Sequence, residues 1–317
     1  MKFSTLSILS LVYATTVLAT PSFPSFPQRA TCSNGRTASS ATCCVWYNVL
    51  DDLQANVFDH RCEEDAHDAL RLSFHDAISY SPNLQRQGKF GGNGADGSVI
   101  KFFDIEMQDP ANEGLETIVT AEKELADKYG VSYGDIIQFA GAVSVRNCLF
   151  GPRIAFMAGR PAATQAAPPG LIPAPFDNVT TMLARVGDAG LTPEELIDLL
   201  ASHSVASQKI IDETIPHTPF DLTPEIFDNN FYREVLLTGL FTPGSTLHTG
   251  EVKSPFPNEF RLQSDFALAR DVRTKSHWVS LSLNQLLMQS RFATAMAKMA
   301  LIGQNSGILH DCSEVIP

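Results

Sequence analysis

Apolar positions recur at intervals of three or four residues over two consecutive segments in the first third of the chain. The first segment repeats at Trp46, Val49, Leu50, Leu53 and Val57. The second continues the same period at Ala66, Ala69, Leu70, Ser73, Phe74 and Ala77. Positions spaced in this way lie on one face of an α-helix. Both segments are therefore predicted to be amphipathic helices.

Capping signals predict two further helices in the middle of the chain. Ser132, followed three residues later by Asp135, begins a helix through Arg146 that is rich in Ala and Ile, as a buried central helix would be. The stretch Thr192-Pro193-Glu194-Glu195 offers Thr as N-cap, Pro at the first helical position and Glu at the third, which is a capping box. The face that follows this start is formed by Leu196, Leu199, Leu200 and His203.

Two more helices are predicted towards the C-terminus. Thr223-Pro224-Glu225 repeats the start signal for a helix through Leu237, and an amphipathic stretch runs from about Leu281 to Ile302. Alternating strand patterns are few, and the chain contains no internal repeat. The predicted fold class is therefore mainly α, a helical bundle with long structured loops and very little β.

Two long segments lack a helical pattern. Residues 80–98 are rich in Gly, Asn, Gln and Pro and include Gly91-Gly92-Asn93-Gly94-Ala95-Asp96-Gly97-Ser98, more turn residues than a linker requires. A loop of this kind usually wraps a ligand or another part of the protein. Pro and Ala are concentrated from Pro161 to Pro175, which predicts either a surface crossing or a hinge between two lobes.

Length and charge narrow the classes of function. The chain has 317 residues, enough for one large domain or two small ones with a core that could enclose a cofactor. Its formal net charge is −12, and no basic cluster is present. This balance argues against nucleic acid or an anionic membrane as a partner.

The first residues predict secretion. Residues 1–20 begin with Lys2 after the initiating Met and run through an apolar stretch to small residues, the pattern of a signal peptide. Residues 21–29 are rich in Pro and end in Arg29, which is typical of a short pro-segment. We therefore expect residues 30–317 to form the mature domain. No later apolar run is long enough to span a bilayer, so we expect a soluble, extracellular protein.

The cysteines agree with an oxidising compartment. Six lie in the expected mature domain, at Cys32, Cys43, Cys44, Cys62, Cys148 and Cys312. An even number predicts three disulfides, although the spacing alone leaves all the pairings open. A zinc site is disfavoured because no Cys-x2-Cys pair occurs. Asn178-Val179-Thr180 is a glycosylation sequon, which predicts a surface position for Asn178.

The stretch Arg71-Leu72-Ser73-Phe74-His75-Asp76 concentrates chemically useful side chains. In a helix Arg71 and His75 project from the same face, with Phe74 beside them. A fixed positive charge next to a titratable base suits a small oxygen substrate such as a peroxide. The alternative is a surface arginine near a buried structural histidine, and these residues alone do not decide between the two interpretations.

His203 ends an apolar helical face. A core histidine bonded to a backbone carbonyl is one explanation. The other is an axial ligand of haem iron, because such an imidazole projects from an apolar wall. If haem binds there, His75 would accept the proton of bound hydrogen peroxide and return it to the departing oxygen. Arg71 would stabilise the developing negative charge.

Two sets of oxygen donors accompany the two histidines. The first consists of Asp76, Gly94, Asp96 and Ser98, and the second of Ser204, Asp221, Thr223, Ile226 through its carbonyl, and Asp228. Carboxylate, carbonyl and hydroxyl oxygens are the ligands that calcium prefers. Solvated turn residues would be the ordinary explanation for either set alone. One set beginning beside each histidine favours calcium.

Taken together, these residues resemble those of the secreted fungal haem peroxidases, class II of the plant, fungal and bacterial peroxidase superfamily. The resemblance covers nearly all of residues 30–317. It is carried by Arg71-Leu72-Ser73-Phe74-His75-Asp76-Ala77, Gly94-Ala95-Asp96-Gly97-Ser98, Ala158-Gly159-Arg160-Pro161, Leu199-Leu200-Ala201-Ser202-His203-Ser204-Val205-Ala206, Pro219-Phe220-Asp221, Arg261-Leu262-Gln263-Ser264-Asp265 and Asp311-Cys312-Ser313-Glu314-Val315-Ile316-Pro317. The fold implied is two-lobed, with haem b between distal and proximal helices.

The resemblance also implies roles for individual residues. His75 would be the distal acid–base residue, Arg71 the distal cation and Phe74 the aromatic that covers the haem. Asn112 would bond the far nitrogen of His75, in a network that includes Glu106. The remaining implications are His203 as the iron ligand, Asp265 as its carboxylate partner, two structural Ca²⁺ ions at the oxygen sets, and disulfides Cys32–Cys44, Cys43–Cys312 and Cys62–Cys148.

Departures from the family pattern concern the electron donor. Manganese-oxidising members hold the ion with three carboxylates; here Glu64 and Asp68 occupy the first two positions, but Lys209 stands at the third. A cation there would repel Mn²⁺ and could pair with either acid. Members that oxidise lignin models carry an exposed Trp where this chain has Asp198. We expect the tryptophans, Trp46 and Trp278, to be packing residues.

The sequence therefore predicts an oxidoreductase that couples hydrogen peroxide to the one-electron oxidation of small phenolic or dye donors. Its partners would be hydrogen peroxide and small aromatic reductants, with no nucleic acid or membrane, and it would be a monomer. A manganese or lignin-type peroxidase with a non-standard site is the alternative within the enzymes. A haem-less, calcium-stabilised binding glycoprotein is the alternative outside them.

Overall fold

A computed structural model describes residues 29–317 of the chain. The predicted signal peptide over residues 1–20 lies outside the described residues, as does the pro-segment over residues 21–29 except for Arg29. Within the described part, no helix is both long enough and apolar enough to cross a bilayer.

Helices dominate the described residues, which confirms the mainly α fold class. In chain order they are α1 (Cys44–Leu53), α2 (Glu64–Ile78), α3 (Pro82–Arg86), α4 (Ser98–Lys101), α5 (Phe103–Glu106), α6 (Glu116–Tyr129), α7 (Tyr133–Asn147), α8 (Val179–Asp188), α9 (Pro193–Leu199), α10 (Asn230–Leu236), α11 (Gln263–Leu268), α12 (Lys275–Leu283) and α13 (Gln285–Met299). Single 3-10 turns add Ala41–Cys43, Pro110–Asn112, Leu200–Val205, Ser306–Ile308 and Ser313–Val315, and a π-helical turn covers Gln54–Phe58.

The strands are short, with two residues each. They are β1 (Ala30–Thr31), β2 (Thr37–Ala38), β3 (Met157–Ala158), β4 (Ser207–Gln208), β5 (Thr218–Pro219), β6 (Glu251–Val252), β7 (Arg261–Leu262) and β8 (His310–Asp311). They form antiparallel pairs in the combinations β1–β2, β3–β8, β4–β5 and β6–β7. The β3–β8 pair joins the middle of the chain to its C-terminal end.

Helix α2 is held in the core of the N-terminal half. It packs chiefly against α7, which is buried along most of its length, and also against α6. Gly141 of α7 allows this close approach, because a Cβ there would lie 2.7 Å from the Cβ of Ser73. In the C-terminal half, α9 packs against α13 and α10 packs against α12.

The capping predictions hold for α7 and α9. The Ser132 side chain accepts a hydrogen bond from Asp135 N at the start of α7. Thr192 and Glu195 form both bonds of the capping box at the start of α9. Helix α9 nevertheless ends at Leu199, and His203 lies in the 3-10 turn that follows, so it does not continue the α-helical face that the sequence predicted.

The helix predicted from Thr223 is wrong at its start. Residues 223–229 are a turn, and α10 begins only at Asn230. The backbone between these positions is used elsewhere: Phe227 N donates to Leu149 O, and Ile226 forms a parallel bridge with Leu149. This pairing competes with a helical hydrogen-bond pattern for the same backbone groups.

The single helix predicted from about Leu281 to Ile302 is two helices. Asn284 separates α12 from α13 with an extended backbone, and its side chain accepts a hydrogen bond from Leu287 N as the N-cap of α13. Asn is a strong N-cap residue, which explains the break inside one continuous amphipathic pattern.

The cysteines form Cys32–Cys44, Cys43–Cys312 and Cys62–Cys148, the pairing that the family resemblance implied. Asn178 is exposed and is the N-cap of α8, where its side-chain oxygen accepts a hydrogen bond from Thr181 N. Both tryptophans are packed in the core, since Trp46 is 2% and Trp278 0% exposed.

Glu122 of α6 is an unusual core residue. Its side chain is fully buried, and neither carboxyl oxygen has a hydrogen-bond partner within the described residues. Burial, reinforced by the negative charge of Asp76, raises the pKa of Glu122 well above its ordinary value. Burial therefore favours the protonated form of this carboxyl.

Replacement of Glu122 by Gln should stabilise the protein at neutral and alkaline pH. Below the pKa of Glu122 in the unfolded state, the carboxyl is protonated in both the folded and the unfolded protein, so the substitution has little effect. Above that pKa only the unfolded state releases the proton, and the free energy of unfolding of the wild type falls by about 1.4 kcal/mol per pH unit until the folded-state pKa is reached. We expect Glu122→Gln to raise the free energy of unfolding at pH 7–8 by more than about 1 kcal/mol, measured by denaturant titration with excess calcium. Glu124→Gln, on the exposed face of the same helix, is the control. An equal stability of wild type and Glu122→Gln from pH 4 to pH 8 would contradict the assignment.

Candidate active site

The predicted distal residues meet at the C-terminal half of α2. His75 is buried, and its Nδ1 lies 2.9 Å from Asn112 Oδ1. The amide nitrogen of Asn112 donates to the backbone carbonyl of Glu106 at 3.0 Å, so the amide oxygen faces the histidine. Nδ1 of His75 therefore carries the proton, and Nε2 is left as a hydrogen-bond acceptor.

The surroundings of His75 favour its neutral form. Burial, followed by the positive charge of Arg71, lowers the pKa of His75 to about 3, although the bond with Asn112 opposes this shift. Glu106 joins the network through its backbone carbonyl, and its carboxylate separately accepts a hydrogen bond from Ala167 N at 2.9 Å. The imidazole is thus a fixed neutral base rather than a cation.

Arg71 lies one turn before His75 on the same helix, as the sequence predicted. Its Nη2 donates to Ala111 O at 2.6 Å and to Glu113 O at 3.1 Å, which holds the guanidinium against the segment that carries Asn112. The ring of Phe74 lies edge-on to that of His75, with 6.1 Å between the ring centroids. The distal cation, base and aromatic are therefore brought together.

The proximal pair is formed by two separate elements. His203 is held by the 3-10 turn after α9, and Asp265 lies in the first turn of α11. His203 Nδ1 donates to Asp265 Oδ2 at 2.9 Å. Asp265 is 1% exposed, and its second oxygen has no partner within residues 29–317. The histidine is consequently the main compensation for a buried carboxylate.

Aromatic rings enclose the proximal imidazole. The ring centroid of Phe220 lies 5.0 Å and that of Phe231 5.4 Å from the centroid of His203. Both rings are buried, whereas the His203 side chain keeps 23% of its surface exposed. In the part of the chain that the structure describes, Nδ1 makes the ring's only hydrogen bond, and Nε2 remains free in an apolar setting.

These features fit a haem between the two histidines. A metal-ligating imidazole commonly donates its second N–H to a carboxylate, as His203 does to Asp265. The distal imidazole is instead paired with a neutral amide oxygen, which suits a base rather than a ligand. The hydrogen-bond partners therefore fit the expectation that His203 holds the iron and that His75 acts as the base.

The first oxygen-donor set is gathered around the glycine-rich loop. Both carboxyl oxygens of Asp76 accept from Gly97 N at 3.1 Å, and Asp96 Oδ1 accepts from Ser98 N at 3.0 Å. Asp76, Asp96 and Ser98 are all buried. Gly97 is required, because a Cβ there would lie 2.3 Å from Gly134 N. Gly94 precedes Asp96 in the same loop.

The charge balance of this loop fits a bound cation. Burial, together with the nearby carboxylates of Asp96 and Glu106, raises the pKa of Asp76 well above its ordinary value. A divalent cation would stabilise both carboxylates in their charged form. Asn93, which the sequence interpretation did not single out, also bonds this set through Asp96 Oδ2 at 3.1 Å.

The second set follows His203 and the β5 strand. Thr223 N donates to Asp221 Oδ1 at 2.8 Å, and Thr223 Oγ1 lies 3.2 Å from Asp228 Oδ2. Ser204 Oγ and Asp221 Oδ2 are buried without a partner in the described residues. Burial raises the pKa of Asp221 to about 8. Ile226 lies in the same turn, through its bond from N to Thr223 O.

Both sets have few carboxylates. No group of three or more His, Cys, Asp or Glu side chains within residues 29–317 is arranged to hold a metal ion. A cation at either set would therefore depend on hydroxyl and carbonyl oxygens in addition to two carboxylates, a composition that calcium accepts. The orphaned Ser204 and Asp221 oxygens supply what such a cation requires.

Lys209 lies beside Glu64 and Asp68, at the position where manganese-oxidising members have a third carboxylate, as the sequence predicted. Its Nζ lies 2.6 Å from Asp68 Oδ2 and also contacts Glu64 Oε1. Burial raises the pKa of Asp68 to about 7 and lowers that of Lys209 to about 8. The contact between opposite charges favours the ionised form of both groups and opposes the effect of burial. His217, which no sequence signal indicated, adds a contact from Nδ1 to Glu64 Oε2 at 2.9 Å.

Asp198 is not a surface substitute for a tryptophan. It is 2% exposed, and its Oδ1 lies 2.6 Å from His277 Nε2. The position is thus occupied by a buried hydrogen-bonded pair, and the residue beside His277 in the chain is Trp278.

A cleft of about 380 Å³ opens beside the distal network. Its walls include Glu106, Asn112 and the segment Ala167-Pro168-Pro169-Gly170. Hydrogen bonds from Ala167 N to Glu106 and from Gly170 N to Asp109 fix that segment. The sequence predicted either a surface crossing or a hinge for residues 161–175. The structure favours the surface crossing, since these bonds hold the segment against α5 and the residues that follow it.

The chain matches known protein families over most of its length. A family model described as "Peroxidase" matches residues 49–284, and one described as "Fungal peroxidase extension region" matches residues 287–317. Both histidine sites lie within the first match.

Similar proteins come from several fungi. A versatile peroxidase of Pleurotus eryngii is 47% identical over 320 residues, covering 100% of this chain and 86% of the relative. A peroxidase of Arthromyces ramosus is 48% identical over 288 residues, covering 90% of this chain and 79% of the relative. A ligninase of Phanerodontia chrysosporium is 49% identical over 292 residues, covering 92% of this chain and 78% of the relative.

Proposed function

Because this chain belongs to the peroxidase family, and is a haem enzyme that uses hydrogen peroxide as its oxidant, we propose that its donors are small phenols or dyes oxidised one electron at a time. The observation that carries the proposal is the pairing of Lys209 with Glu64 and Asp68, which puts a cation where a manganese site needs a third carboxylate. The unlike pairing of the two histidines, His75 with a neutral amide and His203 with a buried carboxylate, supports the use of peroxide.

The residues act on peroxide from one side and support the iron from the other. When bound, haem b supplies the iron and porphyrin from which peroxide withdraws two electrons. Nε2 of His75 accepts a proton from hydrogen peroxide and returns it to the departing oxygen, which leaves as water. Arg71 stabilises the negative charge that develops on that oxygen, and Phe74 would cover the haem.

On the proximal side His203 would hold the iron through Nε2. Asp265 accepts the hydrogen bond that Nδ1 of His203 donates, which fixes the tautomer of the imidazole and makes it a stronger electron donor. Phe220 and Phe231 restrict rotation of the ring. The amide of Asn112 performs the matching task for His75, since it fixes which nitrogen is the base.

Two calcium ions would stabilise the segments that carry the two histidines without contacting the peroxide. The distal ion would bind Asp76, Gly94, Asp96 and Ser98, and the proximal ion Ser204, Asp221, Thr223, Ile226 and Asp228. Each set begins at the residue that follows one of the histidines, so each ion would fix the backbone next to a reacting imidazole. The burial of Asp76 and Asp221, which raises the pKa of both carboxyls, and the unpartnered oxygens of Ser204 and Asp221 support this proposal.

The setting proposed for the enzyme is extracellular. Three disulfides, the exposed sequon at Asn178 and the apolar start of the chain support secretion and glycosylation. A monomer whose partners are peroxide and small aromatic reductants, with neither nucleic acid nor membrane, accords with the acidic balance of the chain.

Manganese or lignin-type oxidation is the second candidate, since Glu64 and Asp68 are retained and relatives include a versatile peroxidase and a ligninase. The ion pairs of Lys209 with both acids argue against it. A haem-less binding glycoprotein is disfavoured because both histidine pairs are intact.

Replacement of His75 by Ala should abolish efficient use of peroxide. Loss of the base is expected to slow the reaction of the haem-loaded enzyme with hydrogen peroxide by about 10²–10⁴-fold, measured by stopped-flow absorbance. The Soret band should remain, because His203 is unchanged. His310→Ala, at an exposed position, is the control. An unchanged rate in His75→Ala would exclude the proposed acid–base role.

Lys209 should decide whether Mn²⁺ is a donor. We expect the wild type to oxidise a simple phenol but to show no saturable Mn²⁺ oxidation. Lys209→Asp replaces the cation with a third carboxylate and should introduce saturable Mn²⁺ kinetics while leaving phenol turnover similar. Lys253→Asp makes the same charge change at an exposed position and should not. Saturable Mn²⁺ oxidation by the wild type would show that the ion pair is displaced.

Calcium should stabilise the folded protein through Asp221. With calcium at 100 times its dissociation constant, a single site adds about 2.7 kcal/mol to the free energy of unfolding. Asp221→Asn should lose the part of the calcium-dependent rise in melting temperature that the second set contributes and keep the part that the first set contributes. In chelator it should be no less stable than the wild type, because the substitution removes a buried carboxyl. Asp104→Asn, at an exposed position, is the control. If Asp221→Asn keeps the full calcium response, the second set is not a calcium site.

A further inference from the structure

The cleft beside the distal network is bounded by two segments from distant parts of the chain. One boundary includes Ser79, which directly follows α2, and the other is the segment 167–172. The cleft also reaches Glu106 and Asn112 of the distal network. Its volume is about 380 Å³, so the separation of these two walls limits the size of a molecule that can enter.

Arg185 of α8 bonds to both walls with one guanidinium group. Its Nε donates to Leu171 O at 2.8 Å. Its Nη2 donates to Ile78 O and to Tyr80 O, at 2.6 Å in each case, and these two residues flank Ser79. The side chain is largely buried, with 13% of its surface exposed. A rigid planar group therefore fixes backbone carbonyls of both walls relative to each other.

Asp188, three residues later on α8, holds this guanidinium in place. Its Oδ2 accepts a hydrogen bond from Arg185 Nη1 at 3.2 Å and another from Ser81 Oγ. Its Oδ1 accepts a hydrogen bond from Asn83 N at 3.0 Å. The carboxylate thus keeps the arginine aligned and ties the residues after Ser79 to the same helix.

This connection between the walls depends on one side chain. Within residues 29–317, Arg185 is the only side chain that bonds both to residues 78–80 and to the segment 167–172. It makes no hydrogen bond with His75 or Asn112 in the same part of the chain. Removal of the connection should therefore change the width of the cleft and leave the residues that act on peroxide in place.

We propose that Arg185 is a positioning residue that sets the separation of the two walls and, through it, the size of the phenolic donor that reaches the distal side of the haem. The inference rests on the proposed function, which supplies the oxidised haem and the class of donor. A lysine could not perform this task, because its donors sit on one nitrogen and cannot span carbonyls of both walls as a planar fork does. Walls that can separate admit a wider donor and discriminate less by size.

The test compares two donors that share one chemistry and differ in size, phenol with one ring and bisphenol A with two. Steady-state kinetics are measured for the haem-loaded wild type and Arg185→Lys with saturating hydrogen peroxide. We expect the ratio of kcat/KM for phenol to that for bisphenol A to fall by about tenfold in Arg185→Lys. The change should lie mainly in a lower KM for bisphenol A. The kcat for phenol, and the rate of reaction with peroxide measured by stopped-flow absorbance, should equal those of the wild type.

Two further variants complete the experiment. Arg146→Lys is the matched control, because Arg146 also donates to two backbone carbonyls, those of Gly151 and Pro317, and neither residue lines the cleft. This variant should keep the wild-type ratio. Asp188→Asn weakens the support of Arg185 and should shift the ratio in the same direction by a smaller factor. If Arg185→Lys fails to bind haem, Asp188→Asn decides the question.

The outcomes separate this inference from the proposed function. A wild-type ratio in both Arg185→Lys and Asp188→Asn would overturn the inference even if phenol turnover is normal. An equal loss of kcat/KM for both donors, together with a slower reaction with peroxide, would overturn it as well, because it would show a general loss of structure. Absence of a Soret band and of peroxide turnover in the wild type would instead overturn the proposed function.

Discussion

The hydrogen bond between His203 and Asp265 is the interaction on which the proximal half of the site depends. It joins the 3-10 turn after α9 to the first turn of α11 across 62 positions of sequence. Asp265 is buried with one orphaned oxygen, so loss of the imidazole would leave a carboxylate almost without compensation. The same bond sets the tautomer of His203 and leaves Nε2 directed away from the carboxylate. The same hydrogen bond therefore serves both the stability of the fold and the tautomer of His203, so replacement of either residue alone would disturb both.

In the distal half, the histidine is fixed by a neutral hydrogen-bond partner. Asn112 fixes His75 without adding a charge, and the backbone of Glu106 fixes Asn112. The fold thus contains two histidines in closely related hydrogen-bonding frames that differ mainly in the charge of the partner. A carboxylate makes an imidazole a stronger electron donor than a neutral amide oxygen does, so this difference supports the roles proposed for the two histidines. The assignment of roles follows from it more directly than from the position of either histidine.

The parts of the fold that could be predicted are those whose signals come from residues close together in the sequence. The capping box at Thr192 and the N-cap at Ser132 need only nearby residues, and both are found as expected. The start predicted at Thr223 failed because Leu149, 74 positions earlier, pairs with the backbone of Ile226 and Phe227. The break at Asn284 is itself a local capping signal within a periodic pattern. At the site, the motifs indicated His75, His203 and Lys209, whereas the contacts of His217 and Phe231 come from residues that only the tertiary structure brings near.

The Cys43–Cys312 disulfide spans 269 positions and joins the two ends of the described chain. Any single cut in the backbone between these residues leaves one covalent molecule, since the fragments stay linked through the disulfide. The Cys62–Cys148 bond adds a smaller closed ring inside the larger one. The protein would therefore tolerate a single nick in a surface loop between Cys43 and Cys312 without releasing a fragment.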